Sequence, residues 1–278
     1  MKISKPTTPS MRHTTFPDRG LLHRGKPLKS HLKSLAKKSG RNSQGRITVR
    51  HQGGGAKQRY RLVDFKQDKL NVPGKIELVE YDPFRSGFIL RVLYADGERR
   101  YHLAHQLAKI GAPIIAAQAT PLETGNRLML KNVPVGYEVF NIELKPGRGG
   151  QIVRSAGSAA SVLAQESGYT HLRMPSGEVR KVLWTNFASL GRVSNSDNKL
   201  VNIGKAGRSR HLGIRPTVRG TAMNPVDHPY GGGEGRQPRG LRKPKTAWGK
   251  ITGGRKTRTR KKWSNSLILR RRPKKSKK

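Results

Sequence analysis

Charge is segregated along this chain, and that segregation limits what can fold. Residues 1–60 carry 15 Lys or Arg against one acidic residue, a net +14. Residues 61–204 carry 19 against 13, a net +6, and residues 205–278 carry 24 against 2, a net +22. A compact core must overcome self-repulsion, so only the middle, with mixed charge and frequent Val, Ile and Leu, suits a globular fold. The two ends, rich in Gly, Pro, Lys and Arg, read as basic arms. Over all 278 residues the formal charge is +42, which implies a polyanionic partner, nucleic acid above all, and argues against an ordinary soluble metabolic enzyme. Disulfides, thiolate zinc sites, iron–sulfur clusters and thiol nucleophiles are excluded, because there is no cysteine. No run approaches the roughly 18 apolar residues of a membrane span, and the opening segment lacks the apolar stretch of a secretory signal. No membrane partner is expected, and a cytoplasmic location is the simplest.

The middle has β character. YRLVDF (60–65), KIELVEY (75–81), FILRVLY (88–94) and ERRYHL (98–103) have strand composition, and Asp96-Gly97 separates the last two as a hairpin turn would. RLMLKNV (127–133), YEVFNIEL (137–144), SVLAQE (161–166), THLRM (170–174) and EVRKVL (178–183) form a second series, with turn signals at Ser167-Gly168 and at Pro175-Ser176-Gly177. Short, evenly spaced strands predict small barrels or sandwiches, dividing near 121–125. Two helices are expected, over 29–40 ending at Gly40 and over 102–110 before Gly111.

Several constellations carry chemistry. In RHQGGGAKQRYR, Gly53, Gly54 and Gly55 would let backbone approach a phosphate while Arg50, His51, Lys57 and Arg59 add charge; the plainer reading is a solvated basic loop. In MNPVDHPYGGGEGR, prolines fix the backbone around Asp227-His228, and Asn224, Tyr230, Gly231, Gly232, Gly233 and Arg236 complete a shaped loop. An Asp beside a His invites a general-base reading, but no nucleophile stands at a recognisable spacing, and a His in such a loop suits contact with phosphate, ribose or base edges. The segment 20–27, GLLHRGKP, resembles a nucleotide-binding P-loop but has Pro where the Mg²⁺-binding hydroxyl belongs. The nine histidines show no metal-ligand spacing, so neither metal nor cofactor is expected. The polybasic tail from residue 254 suits electrostatic contact with RNA or DNA.

Taken in order, RITVRHQGGGAKQRYRLVDFK, EYDPFRSGFILRVLYADGERRY, NVPVGYEVFNIELKPGRGGQIVRSAG, LRMPSGEVRKV, the stretch from Ile203-Gly204-Lys205 through MNPVDHPYGGGEGR, and the final LILRRR resemble the large-subunit ribosomal protein L-two family of bacterial and organellar type, over nearly the full length. The resemblance implies a mainly β chain: a basic extension (1–59), an OB-like domain (60–124), an SH3-like domain (125–204) and a second basic extension (205–278). It further implies direct binding to large-subunit rRNA, contact with other ribosomal proteins, support of subunit assembly and association at the intersubunit face, and a C-terminal loop directed to the peptidyl transferase region. The family's rRNA-binding arginines match Arg85 and Arg154, and its long-debated histidine matches His228. Within the matching segments Arg148, Lys205, Arg208, Arg215 and Arg219 are further expected contacts. The chain departs from the family at Ala56, Phe84 and Tyr230, where His, Asn and His are usual. Two rivals stay open at this point: an enzyme using Asp227 and His228, and a DNA-compacting protein.

Overall fold

The computed structural model describes residues 1–20, 22–253 and 256–272. Gly254, at the head of the basic tail, the tail's last six residues, and Leu21 of the P-loop-like segment lie outside the described residues. The chain forms two compact units. One comprises Met1–Ala36, Lys57–Ala206 and the described residues from Ser266 on; the other comprises Lys37–Ala56 and Gly207–Asn265.

In the first unit, β1 (Lys2–Ile3) pairs with β2 (Thr15–Phe16), and β3 (Leu32–Ser34) pairs with β4 (Arg59–Arg61), each pair antiparallel. The OB-like sheet contains β5 (Gly74–Glu80), β6 (Ile89–Tyr94), β7 (Arg99–Leu103) and β8 (Pro113–Ile114), in the order β7-β6-β5-β8. Residues 95–98 join β6 to β7 in a tight turn: Gly97 takes φ +82° and its N–H donates to the Tyr94 carbonyl at 2.9 Å, while the Tyr94 N–H donates to the Glu98 carbonyl at 2.9 Å. A bulge between Ile76 and Leu78 bends β5, as barrel closure requires. Ile76, Leu90, Val92, Tyr94, Ala104 and Ile114 fill this core, and Leu22 from the N-terminal arm joins them.

The SH3-like part is a seven-stranded antiparallel sheet of β9 (Arg127–Met129), β10 (Glu138–Phe140), β11 (Ala160–Glu166), β12 (Tyr169–Arg173), β13 (Val179–Leu183), β14 (Phe187–Leu190) and β15 (Ile268–Arg270). Its order is β15-β13-β12-β11-β10-β14-β9. Leu128, Leu130, Phe140, Ile142, Leu172 and Leu190 are its main buried apolar residues. The chain is thus mainly β, with OB-like and SH3-like barrels, as the alternation of its central strands requires.

Three local expectations are corrected. Residues 29–40 are not a helix: Lys29–His31 form one 3-10 turn and the chain extends into β3, because pairing with β4 satisfies backbone groups that a lone polybasic helix would leave to propensity alone. Residues 102–110 are not a helix either, since His102 and Leu103 belong to β7 and pair with Leu90 and Ile89. The expected strand 137–144 stops at Phe140, because Asn141 turns to φ +49°.

In the second unit, α1 (Ala206–His211), which belongs to it from Gly207 on, and the 3-10 turn Gly220–Ala222 are the regular elements nearest the candidate site residues. The rest is held by single backbone bridges, such as Gln52 with Ile214 and Lys245 with Ile251.

Candidate nucleic-acid interface

Arg85 and Arg154, 69 residues apart in sequence, converge on one aromatic ring. Their guanidinium carbons lie 5.4 and 4.5 Å from the centroid of Phe65, and Arg85 also sits 5.1 Å from that of Tyr60. Together with Phe84, Ser86 and Gln151 these residues line a concavity of about 520 Å³. Phe84 packs edge-on against Tyr60, with ring centroids 5.3 Å apart, and is 39 % exposed.

The two arginines are not equivalent. Arg85 is committed internally: it pairs with the fully buried Asp82 and donates to the Tyr60 hydroxyl at 2.9 Å. Arg154 is exposed, and its hydrogen bond goes to the Gly150 carbonyl at 3.2 Å. Its direction is set by the preceding residue. Val153 is buried with φ +55°, a conformation costly for a β-branched side chain, and such strain persists only where surrounding packing enforces it. Arg148 projects from an exposed turn just upstream.

The first glycine cluster lies in the second unit. The Gly53 N–H donates to the Gly213 carbonyl at 2.7 Å and the Ala56 N–H to the His211 carbonyl at 2.8 Å, so the triplet runs against the residues that follow α1. At Gly55, φ is +59° and a Cβ would stand 2.7 Å from the His211 carbonyl oxygen, which explains glycine there. Gly53, Gly54 and Gly55 line a concavity of about 400 Å³ with Arg41, Arg210, His211 and Arg215. His51 is nearby in contact terms, with Nδ1 3.1 Å from the Thr217 hydroxyl, and Arg50 stacks at 5.0 Å from the Trp248 ring.

Arg219, His228, Tyr230 and Arg236 line another concavity of the second unit, about 560 Å³, with Arg239 and Lys245. The Tyr230 backbone N–H donates to His228 Nδ1 at 3.1 Å, so this nitrogen is the acceptor and Nε2 carries the proton of the neutral ring. Asp227 therefore does not orient the imidazole through Nδ1. The tyrosine ring packs 4.8 Å from the histidine ring, 5.6 Å from the Arg239 guanidinium, and its hydroxyl accepts from the Lys245 N–H. Gly231 lies against the carbonyls of Asn224 and Met223; a Cβ would come within 2.1 Å of the former. Asn224, Gly233 and Arg236 are exposed, and Gly232 is half-buried.

Lys57 and Arg59 belong to the first unit, beside the β3–β4 ribbon, and line a concavity with Lys29 and Lys33. Lys205 is exposed and Arg208 half-buried at the start of α1. The structure thus groups the expected residues into separate clusters on two units. Sequence reasoning missed Tyr60 and Phe65, which read only as strand formers, Asp82, and the cations Arg41, Arg210 and Arg239. The three cations were legible as charges on Gly-rich segments; the aromatic platform was not, because only folding places Phe65 beneath two distant arginines.

Carboxylates are distributed unequally over these cations. In the OB-like sheet Arg100 pairs with Asp64, Asp68 and Glu98, Lys69 with Asp96 and Glu98, and Arg91 and Arg99 with Glu77. Hydrogen bonds from Arg100 first, and from Lys69, pull the Glu98 carboxyl down to about 2. Among the described residues, by contrast, Arg50, Lys57, Arg59, Arg148, Arg154, Arg215, Arg219 and Arg236 have no carboxylate partner. Also among the described residues, no group of three or more His, Asp or Glu could hold a metal ion, and no helix is long and apolar enough to cross a membrane.

Two family models match. The one described as Ribosomal Proteins L2, RNA binding N-terminal domain, covers residues 28–116, and the one described as Ribosomal Proteins L2, C-terminal domain, covers residues 123–249. With most of the sequence matched in the same order as its OB-like and SH3-like parts, the chain belongs to the ribosomal protein L2 family, a structural and RNA-binding constituent of the ribosome.

Proposed function

We propose that this chain is a non-enzymatic component of the large ribosomal subunit that binds 23S-type rRNA directly, supports subunit assembly and association, and helps shape the surroundings of the peptidyl transferase centre. Residues 1–59 and 205–278 act as basic extensions, and residues 60–124 and 125–204 as the OB-like and SH3-like domains between them. Arg154 and Arg148 contact phosphate from the barrels. Arg85 holds the aromatic platform, and Phe84 and Tyr60 offer faces for an unpaired base. The glycine-rich segments at 53–55 and 231–233 bring backbone close to RNA, while Arg50, His51, Lys57, Arg59, Lys205, Arg208, Arg215, Arg219, Asn224, His228, Tyr230 and Arg236 supply charge and hydrogen bonds. Other ribosomal proteins and the small subunit at the intersubunit face are the further partners, in a cytoplasmic ribosome.

The observation that carries this reading is the segregation of ion pairs. A polyanion gains by releasing counterions only where protein cations are not already neutralised; ion pairs take up Arg91, Arg99 and Arg100 of the OB-like sheet, whereas among the described residues Arg50, Lys57, Arg59, Arg148, Arg154, Arg215, Arg219 and Arg236 have no carboxylate partner. With His228 Nδ1 engaged by the Tyr230 N–H, Nε2 is the ring nitrogen that would meet an RNA acceptor. The test is sedimentation of the tagged chain from its native lysate through a high-salt sucrose gradient. Co-migration with large subunits is expected. Release to the top of the gradient, together with equal affinity for duplex DNA and structured rRNA, would replace this reading with DNA compaction.

A further inference from the structure

Arg127 and Glu143 form an ion pair inside the SH3-like barrel, at 0 % and 2 % exposure, with Nη2 3.0 Å from Oε1. Removing two full charges from water is costly, and an apolar pair of similar volume would commonly serve a barrel core as well. The remaining partners of the pair show what the charges accomplish. Glu143 accepts the Gly149 N–H on Oε1 at 3.0 Å, and the N–H groups of Gly147 and Phe187 on Oε2 at 3.3 Å. Two of these three amides belong to the turn 145–150, KPGRGG, which carries Arg148.

Contacts continue from that turn to Arg154. Arg127 Nη1 donates to the Asn141 carbonyl at 2.8 Å, and Gly150 packs so closely on the same carbonyl that a Cβ would come within 2.6 Å of it. The Gly150 N–H donates to the Phe65 carbonyl at 2.8 Å, and its own carbonyl accepts from Arg154 Nη1. Gly147 and Gly149 have φ +70° and +78°, so the turn has little intrinsic preference for one conformation. A buried carboxylate gripping two of its amides supplies that preference.

We infer that the buried Arg127–Glu143 pair is a positioning device for RNA binding, holding the turn 145–150 so that Arg148 and Arg154 are presented in one fixed arrangement. The inference rests on the reading of those two arginines as phosphate contacts. Neither Arg127 nor Glu143 touches RNA. Their effect is to lower the ordering cost of the arginines that do.

The test uses the full chain and a 23S-type rRNA transcript, titrated over a range of KCl. The double variant Arg148→Ala/Arg154→Ala checks the underlying reading: weaker binding, by about a hundredfold or more, and a salt slope shallower by roughly 1.5 are expected. If both stay as in the unaltered chain, the phosphate reading fails. The double variant Arg127→Met/Glu143→Leu replaces the pair with apolar side chains. It is expected to keep the melting transition and yet reproduce much of the loss of affinity and slope. Unaltered binding in a variant that melts like the parent would overturn the inference and leave the phosphate reading standing. A measurement on the unaltered chain needs no variant to fold: Gly147 and Gly149 amides should exchange with D₂O as slowly as core amides of the SH3-like sheet. Exchange at the rate of an open loop would equally overturn the inference.

Discussion

Substituting Arg154 and Arg85 separately is expected to produce two different kinds of damage, although both arginines face Phe65. Arg154 is exposed and without a carboxylate, so Arg154→Ala removes one charge-assisted contact of about 1.5–3 kcal/mol, or roughly tenfold to 150-fold in affinity. One fewer phosphate should make the salt slope shallower by about 0.7–0.9. The melting temperature should hardly move. Arg85→Ala instead leaves the carboxylate of Asp82, fully buried, without its cation; breaking such a pair costs about 3–5 kcal/mol. For a chain of this size that is on the order of 10 °C in melting temperature. Asp82 keeps the Phe84 N–H at 2.9 Å, which limits but does not remove the cost. The assay is binding to a 23S-type rRNA transcript from low to high KCl, beside a thermal melt of each variant. A shallower salt slope for Arg85→Ala at unchanged melting temperature, or an unchanged slope for Arg154→Ala, would refute this division of roles.

Further outcomes follow from buried groups. Burial holds the imidazoles of His102 and His105 down to about 4, while an unfolded histidine titrates near 6.5, so the unfolded chain binds more protons between those values. Stability is therefore complete above about pH 6.5 and is lost as pH falls towards 4, by up to about 3 kcal/mol per histidine; denaturant titrations at pH 7.5 and 5 that gave equal midpoints would contradict this. Leu128 is fully buried in the SH3-like core, and Leu128→Ala should cost about 2–5 kcal/mol by calorimetry. Gly231→Ala must push apart the Asn224 carbonyl and its own Cβ, so faster proteolytic cleavage over 223–233 is expected; an unchanged cleavage rate would show that the loop absorbs the methyl group.

Much of the barrel region was legible before folding was considered. Six of the expected strands, at 75–81, 88–94, 98–103, 161–166, 170–174 and 178–183, match β5, β6, β7, β11, β12 and β13 to within a residue or two, because period-two patterning and Gly turns are local signals. The misreadings have non-local causes. Residues 29–40 look like a helix until β4 is available as a partner, and β15 adds to the sheet edge at β13 from a tail that reads only as polybasic. β14 was overlooked: Phe187–Leu190 is four residues long, and its place between β10 and β9 is a matter of sheet order. At the candidate interface, charge and glycine singled out the segments. They could not show that Arg85 is consumed by Asp82, or that a backbone amide occupies His228 Nδ1.

The sequence by itself determined the need for a polyanionic partner, the mainly β character of the centre and the basic character of both ends, since net charge, alternation and turn residues depend on neighbours in the chain. Only the tertiary structure decided which cations remain unneutralised. An ion pair is a matter of distance in space: Arg100 meets Asp64 across 36 positions and Arg127 meets Glu143 across 16, both across folded barrel strands, while Arg154 meets a ring instead. Close ion pairing and hydrogen bonding need contact within a few ångströms, so identical residue types become a structural pair in one place and an exposed charge without a carboxylate in another.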